Sequence, residues 1–256
     1  MALVRLRCQA RRGSLRGAQR AVSKPRDRFY KDVSVEGGKD GFSILLDGKP
    51  IRTPSGAALN LPTRALADAV AEEWRAQGPK IDPLTMKLTK LANTAIDRVG
   101  TDRPLAVEQI IGFARSDLVC YRAEGPAGLV ARQREQWDKL IAWAKTRHAI
   151  DLKTASGITF IDQPPEALSA LARTLEAHDD FALTGLNAAA TLMGSALIAL
   201  ALIDGRLSAG EAFAAAELDR LHQEEVWGRD DEADRVARAK SEELMEIARF
   251  FGLLKT

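Results

Sequence analysis

A chain of 256 residues that is 46% apolar, 28% charged and 5% aromatic has the composition of a soluble globular protein of one or two domains. Whole-chain disorder and collagen-like structure are excluded, and at this length ordinary cores suffice without metal or disulfide staples. The formal charge of +2 hides an asymmetry: residues 1–26 hold eight Lys or Arg and no acid, leaving 29 basic against 35 acidic side chains, a net −6, in the rest.

That acidic body supplies no basic stripe for nucleic acid. The tail, Arg-rich with serines, has the composition of a mitochondrial presequence, but eight positive charges are a weak targeting signal on their own, and a disordered basic extension or residues added by an upstream start codon are together the preferred reading. Cys8 and Cys120 form no disulfide framework and have no metal-ligand spacing, which points to a reducing compartment.

Short β-prone runs at 29–35 and 42–46 are separated by a glycine-rich turn. Asp47-Gly48 is a two-residue hairpin signal before a third run at 49–53, and 59–61 reads as a fourth strand. Three or four short strands need a covering helix, and one follows Thr63, with Leu66, Val70 and Trp74 four apart before Gly78-Pro79. Apolar residues from Leu84 to Val99 keep one helical face over 84–99, ended by Gly100, and Pro104 suits the first turn of a helix ending near Ala114. An apolar run at 118–121 reads as extended, 129–145 as a helix and 158–161 as a brief strand. Four helices then follow at 166–177, 180–203, 208–227 and 230–251.

Residues 181–203 carry no charge over a length that would cross a bilayer. Seven alanines with Gly185, Asn187, Gly194 and Ser195 make the run only modestly hydrophobic, so it reads as a helix buried on all sides in a soluble bundle.

The chain has no P-loop, dinucleotide fingerprint, nucleophile elbow or H-E-x-x-H sequence. His148, His178 and His222 are far apart, and Asp219-x-x-His222 lacks the second pair that a di-iron helix bundle needs. The densest polar cluster is Glu217, Asp219, Glu224, Glu225, Asp230, Asp231, Glu232 and Asp234, around Trp227-Gly228. Helical spacing lines up Asp219, Gln223 and Trp227. By itself this reads as a solvated acidic face with a tryptophan anchoring the helix end; paired carboxylates for acid/base chemistry are the alternative.

Several separated motifs together resemble one family. They are Arg28-Phe29-Tyr30-Lys31, Leu46-Asp47-Gly48-Lys49-Pro50, Arg52-Thr53-Pro54, Glu72-Glu73-Trp74, Ile81-Asp82-Pro83, Thr85-Met86, Leu88-Thr89, Ala95-Ile96-Asp97, Gln133, Trp137-Asp138, and the series Asp219, Gln223, Trp227-Gly228, Asp230. Their order resembles the assembly chaperones of F1 ATP synthase that act on its alpha subunit. Lys87, Lys139 and Arg220 depart from the family pattern.

The resemblance implies an α+β protein with a small antiparallel β-sheet and covering helix at the N-terminus, followed by a mainly α-helical orthogonal bundle. The expected division is a basic tail at 1–26, a β-rich domain at 27–80 and a helical domain at 81–256. It implies a monomeric chaperone, not an enzyme, without cofactor, metal, nucleic-acid or membrane requirement. Its partner is the unassembled alpha subunit, bound through Asp219, Gln223, Trp227 and Asp230. The expected compartment is the cytoplasm in a bacterium or the mitochondrial matrix in a eukaryote. A carboxylate-dependent hydrolase using residues Asp219 to Asp234 is the competing expectation, and a peripheral membrane adaptor using the basic tail is a second.

Overall fold

The computed structural model describes residues 26–157 and 159–255. The expectations for the basic tail and for Cys8 therefore lie outside the described residues, apart from Arg26, which opens β1 (Arg26–Asp27).

The fold is α+β. In the amino-terminal part, β2 (Val33–Gly38), β3 (Gly41–Leu46) and β4 (Lys49–Pro50) form an antiparallel meander, and β5 (Asn60–Leu61) pairs with the other half of β3. Asp47-Gly48 makes the β3–β4 turn with φ of 49° and 77°, as a primed hairpin turn requires. The Asp47 carboxylate also accepts from the Lys31 and Asp32 N–H groups at 3.0 and 2.8 Å, tying the turn to the chain entering β2.

Thr63 caps α1 (Arg64–Arg75) by accepting from Leu66 N. This helix buries Leu66, Ala67, Val70 and Ala71 against β2 and β3. At its end the Tyr30 hydroxyl donates to the Trp74 carbonyl at 2.6 Å, and β6 (Lys80–Ile81) pairs back onto β1.

The helix expected over 84–99 is three pieces: a 3-10 turn at Pro83–Thr85, α2 (Lys87–Thr94) and a π-helical turn at Ala95–Val99. The interruption at Met86 has a physical cause. Asp82 caps the 3-10 turn through Leu84 N, and Glu73 of α1 takes the first free N–H groups of α2, from Leu88 at 2.7 Å and Thr89 at 2.8 Å.

Asp102 caps α3 (Arg103–Arg115). The run at 118–121 is a 3-10 turn at Leu118–Cys120 followed by β7 (Tyr121–Arg122). The partner of β7 is β8 (Ala155–Ser156), in parallel register, between α4 (Ala127–His148) and α5 (Pro165–Glu176). The strand expected at 158–161 thus comes earlier, ended by Gly157 at φ 73°; Ile158 lies outside the described residues.

The helix expected at 180–203, which contains the charge-free run, is two helices, α6 (Asp180–Met193) and α7 (Ala196–Ile203). Gly194 takes a left-handed φ of 66°, and the Ser195 hydroxyl caps α7 by accepting from Ile198 N at 3.0 Å. All eight α7 residues are buried, and no helix among the described residues is long and apolar enough to cross a membrane. The helix expected at 208–227 is likewise divided, into α8 (Ala209–Ala216) and α9 (Leu218–Trp227). Across this break the Ala215 carbonyl accepts from the Trp137 indole at 2.9 Å. The last helix, α10 (Asp231–Leu254), runs about 36 Å.

Its far end joins the two parts of the chain. Phe250 is buried with Ile44, Leu61, Leu66 and Leu88, and Thr63 Oγ1 donates to the Leu253 carbonyl at 2.6 Å. The larger core gathers around α6 and α7 and includes Trp137, Leu183, Leu197 and Phe251. At Gly185 a methyl group would stand 2.9 Å from Phe251 Cζ and closer still to another ring carbon. Gly185→Ala is therefore expected to destabilise by about 1 to 3 kcal/mol through overpacking, read as a lower urea midpoint with unchanged slope.

Candidate functional site

The four residues singled out in the sequence do not converge on one pocket. Asp219, Gln223 and Trp227 lie along α9, and Asp230 begins the next helix beyond the Gly228 turn. Leu218 is the one fully buried residue of α9. The helix is a projecting element whose outer surface meets solvent: Trp227 is 80% exposed and Val226 57%. Asp230 has a structural duty as well, since its side chain caps α10 by accepting from Ala233 N at 2.8 Å.

Asp219 is half-buried because it turns toward α4. Gln133 Nε2 donates to its Oδ1 at 2.7 Å. The same carboxamide accepts from Ala123 N through Oε1 at 2.8 Å, and the Gln133 backbone carbonyl accepts from Arg122 Nη1 at 2.8 Å. Arg122 is 9% exposed, with its guanidinium carbon 5.2 Å from the Trp137 ring centroid and Nη2 2.8 Å from Asp138 Oδ1. That last contact is an ion pair lacking hydrogen-bond alignment, and Nε has no partner either. Burial pushes the Arg122 pKa below the ordinary arginine value, and Asp138 opposes the shift. Gln133, Trp137, Asp138 and Asp219, scattered over 86 positions, thus belong to one connected cluster.

The acidic residues nearby are largely spoken for. Burial raises the Glu217 pKa, but hydrogen bonds from Arg220 at 2.6 Å and Lys240 at 3.0 Å outweigh it, so the carboxyl lies below its usual range. Arg220 also pairs with Glu224. The Arg132 guanidinium 2.6 Å from Glu225 holds that carboxyl low. Glu232 pairs with Arg235, and Asp234 lies 3.9 Å from Arg229. Each of these carboxylates has a cationic partner, so they do not face each other across a reaction centre as the hydrolase expectation needs. Among the described residues no cluster of three or more His, Cys, Asp or Glu is arranged to hold a metal ion.

Between α9 and α10 runs a cleft of about 480 Å³, lined by Val236 and Ala237 together with Glu217, Arg220, Asp230 and Lys240. Val236 is 51% exposed, so the α9–α10 end of the molecule presents Val226, Trp227 and Val236 within eleven residues. Arg220, a departure from the family pattern, is the bracket between Glu217 and Glu224. It removes no carboxylate from the Asp219 contact.

Sequence reasoning missed Arg122, Arg132, Val226 and Val236. Arg122 carried no signal, since its partners come from α4; Val226 and Val236 were visible as apolar residues in an acidic stretch. The remaining motif residues lie away from α9. Tyr30, Glu73, Trp74 and Thr89 bind one another around the end of α1, and Asp97 accepts from Ser55 N at 3.1 Å.

Residues 27–145 match the family described as ATP12 chaperone protein. The mitochondrial atp12 protein of Schizosaccharomyces pombe is 23% identical over 221 residues, 82% of this chain and 76% of its own length. The crystal structure of Atp12 from Paracoccus denitrificans superposes with a TM-score of 0.85 at 38% identity, covering 89% of this chain and 98% of that one. A variant of the Paracoccus protein with an aspartate replaced by lysine gives the same TM-score and identity, with 97% of its chain covered. With a shared sheet-and-helix architecture and 38% identity across nearly all of a solved Atp12, this chain belongs to the ATP12 family of chaperones.

Proposed function

We propose that this chain is an ATP-independent assembly chaperone that binds the unassembled alpha subunit of F1 ATP synthase, masks its subunit interface against aggregation and yields it to the beta subunit. The observation that carries the reading is the α9–α10 end: Trp227, 80% exposed, and Val226 and Val236, 57% and 51% exposed, lie within eleven residues of a stretch rich in acids, on the chain that follows Asp219, which Gln133 holds at the start of α9. Exposed apolar groups concentrated in this way mark an interaction surface.

The subunit of an obligate ring exposes a large apolar interface until its neighbour arrives. A chaperone that covers part of it keeps the subunit dispersed. Release then follows from competition: the beta subunit takes an overlapping surface with greater affinity, and mass action needs no nucleotide. Trp227 supplies the buried anchor of the complex, and the acids of the rim govern encounter rate and partner choice. Asp219, Gln223 and Asp230 make the polar contacts. The compartment follows the source, cytoplasm in a bacterium and matrix in a mitochondrion.

The test is retention of the alpha subunit on the purified chain in the absence of beta. Asp219→Lys is expected to weaken capture at least tenfold in a chain that still folds, with a melting point lowered by loss of the Gln133 hydrogen bond, and Trp227→Ala to weaken it by about thirtyfold, the loss of a typical hot spot. Wild-type capture by a folded Asp219→Lys variant would remove Asp219 from the site. Alpha subunit that aggregates equally with and without the chain would end the reading altogether.

A further inference from the structure

We infer that Gln133 is a positioning residue: it fixes one oxygen of Asp219 so that the other is presented to a cationic or N–H-bearing group of the bound polypeptide. This rests on the reading of Asp219 given above.

The carboxamide has one orientation available to it. Its Oε1 accepts from the Ala123 backbone N–H at 2.8 Å, so Nε2 is the atom that faces Asp219. Gln133 is 1% exposed, and its own carbonyl is tied to Arg122, which lies against the Trp137 ring. Rotating the amide would set its oxygen against a carboxylate and its NH2 against an N–H donor, losing both hydrogen bonds at once.

On the other side of the contact, α9 has little to hold it. Leu218 is its single fully buried residue, and the rest of its seat on α4 is the exposed Arg132–Glu225 pair and His222 beside Gly128. Gln133 is the one donor to the Asp219 carboxylate among the described residues. Held through Oδ1 at 2.7 Å, the carboxylate has Oδ2 left to accept from a donor outside the chain. The chemistry that matches is an Arg or Lys side chain, or a backbone N–H at a client helix N-terminus.

A purely structural Gln133 would pin α9 to α4 and do nothing more. Three variants separate the two roles, with retention of isolated alpha subunit as one readout and thermal melting plus α9 amide exchange as the other. Gln133→Met fills the same space without a donor. It is expected to weaken capture about tenfold, the worth of a hydrogen bond to a charged group, and to move the Asp219 carboxyl carbon resonance.

The second variant is the exchange Gln133→Glu with Asp219→Asn. It keeps both hydrogen bonds, because the carboxylate introduced at position 133 accepts from Ala123 N–H and from the amide introduced at position 219, but it moves the charge from the surface into the interior. Retained α9 protection, with a melting point lowered by the buried carboxylate and capture as poor as in Asp219→Asn alone, is the expected result. If Gln133→Met does not fold, this exchange carries the test. Full capture by the exchange variant would show that the contact only pins the helix. Full capture by Gln133→Met, with Asp219→Asn defective, would show that Asp219 needs no positioning. Full capture by Asp219→Asn is a separate result: it would overturn the site reading itself.

Discussion

Trp137→Ala is expected to lower stability by about 3 to 5 kcal/mol, the cost of emptying a fully enclosed tryptophan site. The side chain is 1% exposed and touches three parts of the structure at once. Its Nε1 donates to the Ala215 carbonyl at the α8–α9 break, its ring lies under the Arg122 guanidinium, and its body fills the main core. Alanine would open a cavity, orphan a buried carbonyl and strip a buried cation of its ring partner.

For a chain of this length each kcal/mol moves the melting temperature by about 2 to 4 °C, so a drop on the order of 10 °C is expected in a thermal melt. Trp137→Phe keeps an aromatic ring and most of the volume, and it loses the hydrogen bond to Ala215. Its expected cost is about 1 to 3 kcal/mol. Because α9 hangs from the same network, faster amide exchange should appear in α9 before the rest of the chain in both variants. A Trp137→Ala protein that melts within a degree or two of wild type would refute this account of the break between α8 and α9.

Asp117 is expected to give the protein a pH dependence opposite in sign to that of its paired carboxylates. Its carboxyl is fully enclosed at the α6–α7 junction and accepts from Val119 N at 3.2 Å and Leu197 N at 3.1 Å. Burial pushes its pKa up from 3.8 to about 6, and the hydrogen bonds, from Ser195 and the backbone, only moderate the rise. Between those values the folded state binds more protons than the unfolded one, so stability falls as the pH rises. The contribution is complete below the unfolded value and is lost as the pH passes through about 6.

The window amounts to about 3 kcal/mol. Glu217, held low by Arg220 and Lys240, acts in the other direction, losing stability as the pH falls. The comparison that isolates Asp117 is therefore wild type minus Asp117→Asn, measured by urea unfolding at about pH 4.5 and about pH 7.5. That difference should shrink by about 2 kcal/mol from the lower to the higher pH. A difference that stays flat would mean that the surrounding N–H groups offset the burial in full.

Local chemistry was legible wherever neighbours in sequence decide the conformation. Asp47-Gly48 accepts positive φ, and Thr63 offers its oxygen to Leu66 N. The 100° recurrence of Leu66 and Val70 gives α1 its buried face. Gly194-Ser195 was equally local, yet an uncharged run of apolar residues hides a break when hydrophobicity alone is followed. The break exists because Ser195 and Asp117 together satisfy the first N–H groups of α7.

The order of the motifs in the chain was enough to point to the family, and the spacing of Asp219, Gln223 and Trp227 placed them along one helix. What no spacing contains is the hydrogen bond from Gln133 to Asp219 across 86 residues, the seat of Arg122 on Trp137, or Phe250 entering the core of the amino-terminal sheet. Such contacts form only when whole elements have packed. Burial then obliges each enclosed polar group to find its partner from whichever element lies opposite, however distant along the chain.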